Sequence, residues 1–305
     1  MNEEAPAAPR EDSESANAGA RARGGGAPRA LKIDAHQHFW KYDPLRDGWI
    51  TEDMRAIRRD FLPGDLEATL RTNGFDGCVA VQADQSEQET AFLLELARRH
   101  PFIKGVVGWV DLRSPRLEET LDALATDARF RGVRHVAQAE PDDFLARDEV
   151  IRGIGRLRRF GLTYDILIVA RQLPAASTLT ARLPDQPFVL DHVAKPSIKD
   201  RVLQPWAAAL QELARRPNVW CKLSGLVTEA DWSGWRPDDL RPYLDVALEA
   251  FGPDRVMFGS DWPVCLVAAP YERVLEVVVE YAAALSAAER EALFGGNAIR
   301  FYGLT

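Results

Sequence analysis

The chain has little cysteine, and what it has is scattered: Cys78, Cys221 and Cys265 are the three among 305 residues. An odd, widely spaced trio makes neither a disulfide framework nor a paired CxxC metal knot, and it fits a reducing compartment, the cytoplasm. No apolar stretch reaches the roughly 18 residues that a membrane-spanning helix needs. No hydrophobic core follows the first charges either, so neither a membrane anchor nor a secretory signal is expected. Positive charge is also in short supply. Lys and Arg number 38 against 46 Asp and Glu, a formal net charge of −8, and a chain without a basic excess is a poor binder of phosphate backbones. Nucleic acid is thereby set aside as a partner. Residues 1–30 lack every aromatic and β-branched side chain. Such a stretch cannot bury enough apolar surface to order itself, and it reads as a disordered tail ahead of one domain at 31–305.

What is present from residue 31 onward is an alternation. Short runs rich in β-branched residues, at 31–35, 77–82, 103–110, 132–137, 163–169, 188–191, 219–223 and 256–259, are separated by longer segments of helical period. In 149–160, for example, Val150, Ile151, Ile154 and Leu157 recur at helical spacing while four arginines point away. Strands alternating with helices imply parallel pairing through crossovers, and eight such units in a chain of this length predict an α/β fold, a single (β/α)8 barrel. The first connection, 39–77, is the long one and carries Trp40, Tyr42 and Trp49. It is the place where a lid or substrate wall could be built, although such aromatics more often pack a loop down on the barrel. Gly295-Gly296 reads as the cap of a final helix over 287–294.

In a barrel of this kind the C-terminal strand ends converge on one mouth. His36 and His38, one residue apart at the end of the first run, project to the same side if the backbone stays extended. His192 follows the sixth run and Asp261 the eighth. Singly, each has an ordinary explanation as a strand-end or turn residue; together they make a metal set of His36, His38, His192 and Asp261, with Asp261 alternatively a general base toward water. In the fourth run alternation sends Arg134 and His135 to opposite faces, and Arg134 is expected toward the site as an anion or carbonyl clamp. Lys222, Ser224, Gln82 and Asp165 are further polar candidates, or satisfied polar groups of the barrel. His100, before Pro101, is expected at a helix end.

Four blocks carry a family likeness: Asp34-Ala35-His36-Gln37-His38-Phe39-Trp40, Asp191-His192-Val193-Ala194-Lys195-Pro196, Gly259-Ser260-Asp261-Trp262-Pro263 and Gly296-Asn297-Ala298. Together they resemble the amidohydrolase superfamily, and within it a lactonase-rich branch, over about residues 31–303. The resemblance implies a (β/α)8 barrel whose site is His36, His38 and His192, with Asp261 activating water. It implies hydrolysis of a small-molecule lactone, an aldonolactone of a deoxy sugar acid such as L-fuconate or L-rhamnonate. It implies one divalent ion, zinc first, or a metal-free site, since the branch contains both and lacks an obvious bridging lysine. Trp40, Trp109 or Trp262 would offer a face to the sugar ring or else pack the barrel mouth, with Arg134 and Lys222 as further substrate contacts. A lactone isomerase or decarboxylase on the same site is the alternative chemistry. A catalytically silent barrel binding protein is the other class, and the four reactive residues argue against it.

Overall fold

The structure is a computed structural model that describes Met1 and residues 30–305, so the tail expected at 1–30 lies almost wholly outside the described residues. Among those residues eight parallel strands pair in sequential order: β1 Ile33–Gln37, β2 Gly77–Val81, β3 Ile103–Gly108, β4 Phe130–His135, β5 Thr163–Ile166, β6 Phe188–Leu190, β7 Val219–Leu223 and β8 Val256–Phe258. The crossovers carry α1 Pro63–Thr72, α2 Glu87–Arg99, α3 Leu117–Leu124, α4 Asp148–Arg156, α5 Leu173–Arg182, α6 Trp206–Ala214, α7 Pro237–Phe251 and α8 Tyr271–Tyr281, with α9 Ala287–Glu291 and α10 Asn297–Tyr302 after the last strand. All eight expected runs are strands. They read clearly because a strand covered on both faces is apolar throughout rather than alternating, and every residue of β2 and β8 is buried. No described helix is long and apolar enough to cross a membrane.

The sheet closes on itself at β1 and β8. Gln37 bridges to Trp262, the Asp261 N–H donates to the His36 carbonyl (2.8 Å), and the His38 N–H donates to the Trp262 carbonyl (2.7 Å). Inside the cylinder Ile33, Ala35, Val79, Val81, Val107, Val189 and Met257 pack with Phe301, Tyr302 and Leu304 near the chain's end.

Several strand boundaries differ from expectation by one to three residues, β4 starting two residues early at Phe130 and β5 ending three early at Ile166. The first strand begins at Ile33, because Leu31 is exposed, and runs through Gln37. Gly295-Gly296 does not end the last helix: a π turn over Ala292–Gly296 leads straight into α10. The need for glycine is instead a close approach, since a Cβ on Gly295 would meet the Leu31 carbonyl oxygen at 2.0 Å. Backbone cannot yield as a flexible side chain does. Gly295→Ala is expected to cost about 1–3 kcal/mol or more, the usual range for overpacking, read as a lowered urea midpoint; an unchanged midpoint would show that this contact relaxes freely.

Candidate active site

Strand alternation puts Asp34, His36 and His38 on one face of β1 and its extension. Asp34 lies deepest. Its Oδ1 accepts from the N–H groups of His36 (3.2 Å) and Ser260 (2.9 Å), tying β1 to the turn after β8, and burial pushes its carboxyl up to about 6. The His38 Nδ1–H donates to the Val81 carbonyl at the end of β2 (2.8 Å), which leaves Nε2 facing inward. His192 likewise engages Ser224 Oγ through Nδ1 (2.9 Å). Gly225 permits this: its φ is +64°, and a Cβ there would stand 2.6 Å from His192 Nδ1.

The three Nε2 atoms and one carboxylate oxygen meet. Asp261 Oδ1 is 3.3 Å from His38 Nε2, 3.7 Å from His36 Nε2 and 3.8 Å from His192 Nε2, and the two strand-one imidazoles are 3.2 Å apart through Nε2. His36, His192 and Asp261 form a set whose ligand atoms lie within 4.8 Å of one another. His38 Nε2 lies against this set, 3.3 Å from Asp261 Oδ1 and 3.2 Å from His36 Nε2. Burial pushes His36 well below the ordinary imidazole range and His192 down to about 4. Burial alone would raise Asp261, but the surrounding imidazoles overcome it and hold the carboxyl below its usual range. Neutral imidazoles beside an ionised carboxylate are the protonation state that divalent metal binding requires, and nitrogen and oxygen donors suit zinc-like ions. The residues present therefore fit a divalent cation.

Beneath this cluster lies a wholly buried charge network. Lys222 Nζ is 2.6 Å from Asp165 Oδ2 and 3.0 Å from Asp191 Oδ1, Arg134 Nη1 is 3.1 Å from Asp191 Oδ2, and the Tyr302 hydroxyl donates to Asp165 (2.8 Å). His36 Nδ1 stands 3.3 Å from Asp191 Oδ1 and 3.0 Å from Lys222 Nζ, so the buried network holds the ring from below. Burial pushes Asp165 up to about 6; Asp191, also driven up by burial, is brought well below the carboxylate range by Lys222 and His36.

After β6 the backbone makes a left-handed turn: His192, Val193, Ala194 and Lys195 all have φ between +49° and +59°. Left-handed backbone costs an L-residue roughly 1–2 kcal/mol each, so four in a row persist only where surroundings over-determine them. Here Val193 and Ala194 are fully buried, and the Trp206 indole donates to the Val193 carbonyl (2.7 Å).

A cavity of about 330 Å³ opens over the cluster. Its polar lining includes His38, Arg134, His192, Lys195 and Asp261, and its apolar lining Trp49, Val136, Leu167 and Val264. His36 lies just beneath, wholly buried. Arg134 thus faces the site as expected, 3.3 Å from His36 Nε2. His135 faces away, between the Trp109 indole and Glu140. Four expected substrate contacts are not at the cavity. Trp40 is buried against Phe61 and donates its indole N–H to the Arg59 carbonyl; Trp109 is held by Thr90 and His135; Lys222 is spent on the carboxylates below. Trp262 is likewise packed between Phe39 and Phe61. The aromatic that does wall the cavity is Trp49, 43% exposed, so the long first loop both packs down and lines the site. His100 ends α2, its N–H on the Leu96 carbonyl. The supporting Asp34 and Asp191 and the cavity-lining Lys195 were visible only as neighbours of the histidines and Asp261.

Glu89, near the start of α2, accepts from the N–H groups of Ala83 and Asp84 and so fixes another stretch of cavity wall. Burial pushes its carboxyl from an ordinary 4.5 up to about 7. A raised folded value means the folded protein keeps this proton where the unfolded chain has lost it. Its contribution to stability therefore falls as pH rises from 4.5 to about 7 and is level above. Glu89→Gln is expected to flatten that part of the pH–stability curve in denaturant unfolding; an unchanged slope would clear Glu89 as its source.

The amidohydrolase family profile matches residues 33–304. The chain belongs to the amidohydrolase family. This amidohydrolase is 47% identical over 287 residues to an L-fucono-1,5-lactonase of Burkholderia multivorans, covering 90% of this chain and 97% of that one. It is 40% identical to an L-fucono-1,5-lactonase of Burkholderia ambifaria, covering 89% and 95%. A crystal structure of a Burkholderia multivorans amidohydrolase with bound zinc superposes with a TM-score of 0.87 at 47% identity, over 90% of this chain and all of that one.

Proposed function

We propose that this amidohydrolase is a cytoplasmic lactonase that opens the ring of a sugar-acid lactone, with L-fucono-1,5-lactone the first substrate to test. The observation that carries the reading is the Asp261 carboxylate, held between 3.3 and 3.8 Å from three imidazole nitrogens at the floor of a cavity lined by both polar and apolar side chains. Similarity to two lactonases over about nine-tenths of the chain supports it.

A lactone whose carbonyl rests over this floor presents its carbon to a water lying against Asp261. The carboxylate takes a proton from that water as the oxygen attacks. Negative charge then develops on the carbonyl oxygen, where Arg134 and the imidazoles offer preorganised positive potential and hydrogen bonds. Collapse expels the ring oxygen, and Asp261 is placed to return its proton to that leaving group. A divalent ion held by His36, His192 and Asp261 supplies Lewis acidity toward carbonyl and water, and zinc is the first to test given the zinc-bound relative.

The deciding experiment is a pH-indicator assay. Hydrolysis near neutral pH releases one proton per turnover, whereas isomerisation releases none; ring consumption without acid would sink the hydrolase assignment. Run after chelation and dialysis, the same assay is expected to show turnover depressed and restored by Zn2+. Turnover indifferent to chelation would assign the oxyanion role to Arg134 and the histidines alone.

A further inference from the structure

Lys195 has no part in the proton transfers above, yet the chain goes to unusual lengths to place it. In a turn of 3₁₀ pitch, residues three apart eclipse one another. The left-handed turn at 192–195, closed by the Lys195 N–H on the His192 carbonyl (2.8 Å), accordingly sends His192 and Lys195 to the same side, and both line the cavity while Val193 and Ala194 are buried behind. The lysine side chain is only 22% exposed. Its partner is Glu229, whose Oε1 is 3.7 Å from Nζ. That is an ion pair, too long to occupy the three ammonium donors. The two residues sit on different loops, one after β6 and one after β7, and these are clasped by the Lys199 N–H on the Glu229 carbonyl (3.0 Å). A half-buried cation is thus held beside the reaction floor with donors to spare, and Val136, Leu167 and Val264 add apolar surface to the same cavity.

We infer that Lys195, positioned by Glu229, binds vicinal ring hydroxyls of the lactone and sets the enzyme's preference for polyhydroxylated over unsubstituted lactones. The inference rests on the lactonase reading. With the carbonyl held over Asp261, the remaining ring carbons extend to the walls, where an ammonium recognises hydroxyl oxygens by donating to them. The apolar side chains that also line the cavity receive the C–H face of the ring.

The test compares wild type, Lys195→Met and Lys195→Arg on L-fucono-1,5-lactone and δ-valerolactone. The unsubstituted lactone is scored by kcat/KM or, where it turns over too slowly, by Ki as a competitive inhibitor. Lys195→Met is expected to shrink the preference for the sugar lactone by about tenfold to a hundredfold, the size of a lost charged hydrogen bond, with KM rising more than kcat falls. Lys195→Arg should retain part of it, and Glu229→Gln should raise KM for the sugar lactone in the same direction. A wild type active on the sugar lactone with a preference that Lys195→Met leaves unaltered would overturn this inference alone. A wild type that hydrolyses no lactone would overturn the lactonase reading and this inference with it.

Discussion

Asp261→Asn is expected to lower kcat on L-fucono-1,5-lactone by about a hundredfold to ten-thousandfold, the span a positioned general base supplies. The substitution keeps the shape of the side chain and removes its ability to take a proton. It also suits the backbone: Asp261 has a φ of +58°, a region that Asn tolerates better than most L-residues, so the fold should survive. The variant is therefore expected to melt within a few degrees of wild type while losing turnover. The same change weakens the metal set, so bound metal is to be measured alongside, and a loss of turnover at full metal occupancy isolates the base. Near-normal kcat would remove Asp261 from the role.

The second large effect concerns stability. Lys222 is wholly buried and neutralises Asp165 and Asp191 together. Lys222→Met keeps the length of the side chain and deletes its charge, leaving two buried carboxylates with Arg134 as their remaining cation. Breaking a buried ion pair from one side costs about 3–5 kcal/mol. At roughly 2–4 °C per kcal/mol for a large domain, the melting temperature should drop by about 6–20 °C. Adding Asp165→Asn removes one of the stranded charges and should restore part of the loss. A single variant that melts with the wild type, or a double variant no more stable than the single, would show that the network contributes little.

Much of this architecture is legible in the residues, and the parts that are not share a cause. The eight strands could be read because burial on both faces writes them as continuous apolar runs. The cluster of His36, His38, His192 and Asp261 could be read because strand ends in such a barrel share one mouth. Depth along a strand is another matter. Lys222 and Ser224 lie on the same face of β7 and its extension, two residues apart, yet Ser224 touches His192 while Lys222 sits a layer lower beneath His36. Alternation gives the face and not the layer. The tryptophans failed for a related reason: Trp40 and Trp49 belong to one loop, and which of them packs and which faces the cavity depends on Phe61 and the chain's path back to the barrel. Lys195 was hidden by the turn that places it, since Val and Ala are poor signals for left-handed backbone.

The seam between β1 and β8 bears on when the enzyme comes into being. The hydrogen bonds that shut the cylinder belong to His36, His38, Asp261 and Trp262, the residues that bring the reactive groups together. Two ends of the site separated by more than two hundred residues meet only when the last strand docks against the first, so a nascent or half-built barrel holds its histidines without their aspartate. Activity and ion affinity should therefore arrive in one late step of folding, and an ion spanning the join would act as a clasp that keeps the finished barrel from reopening there.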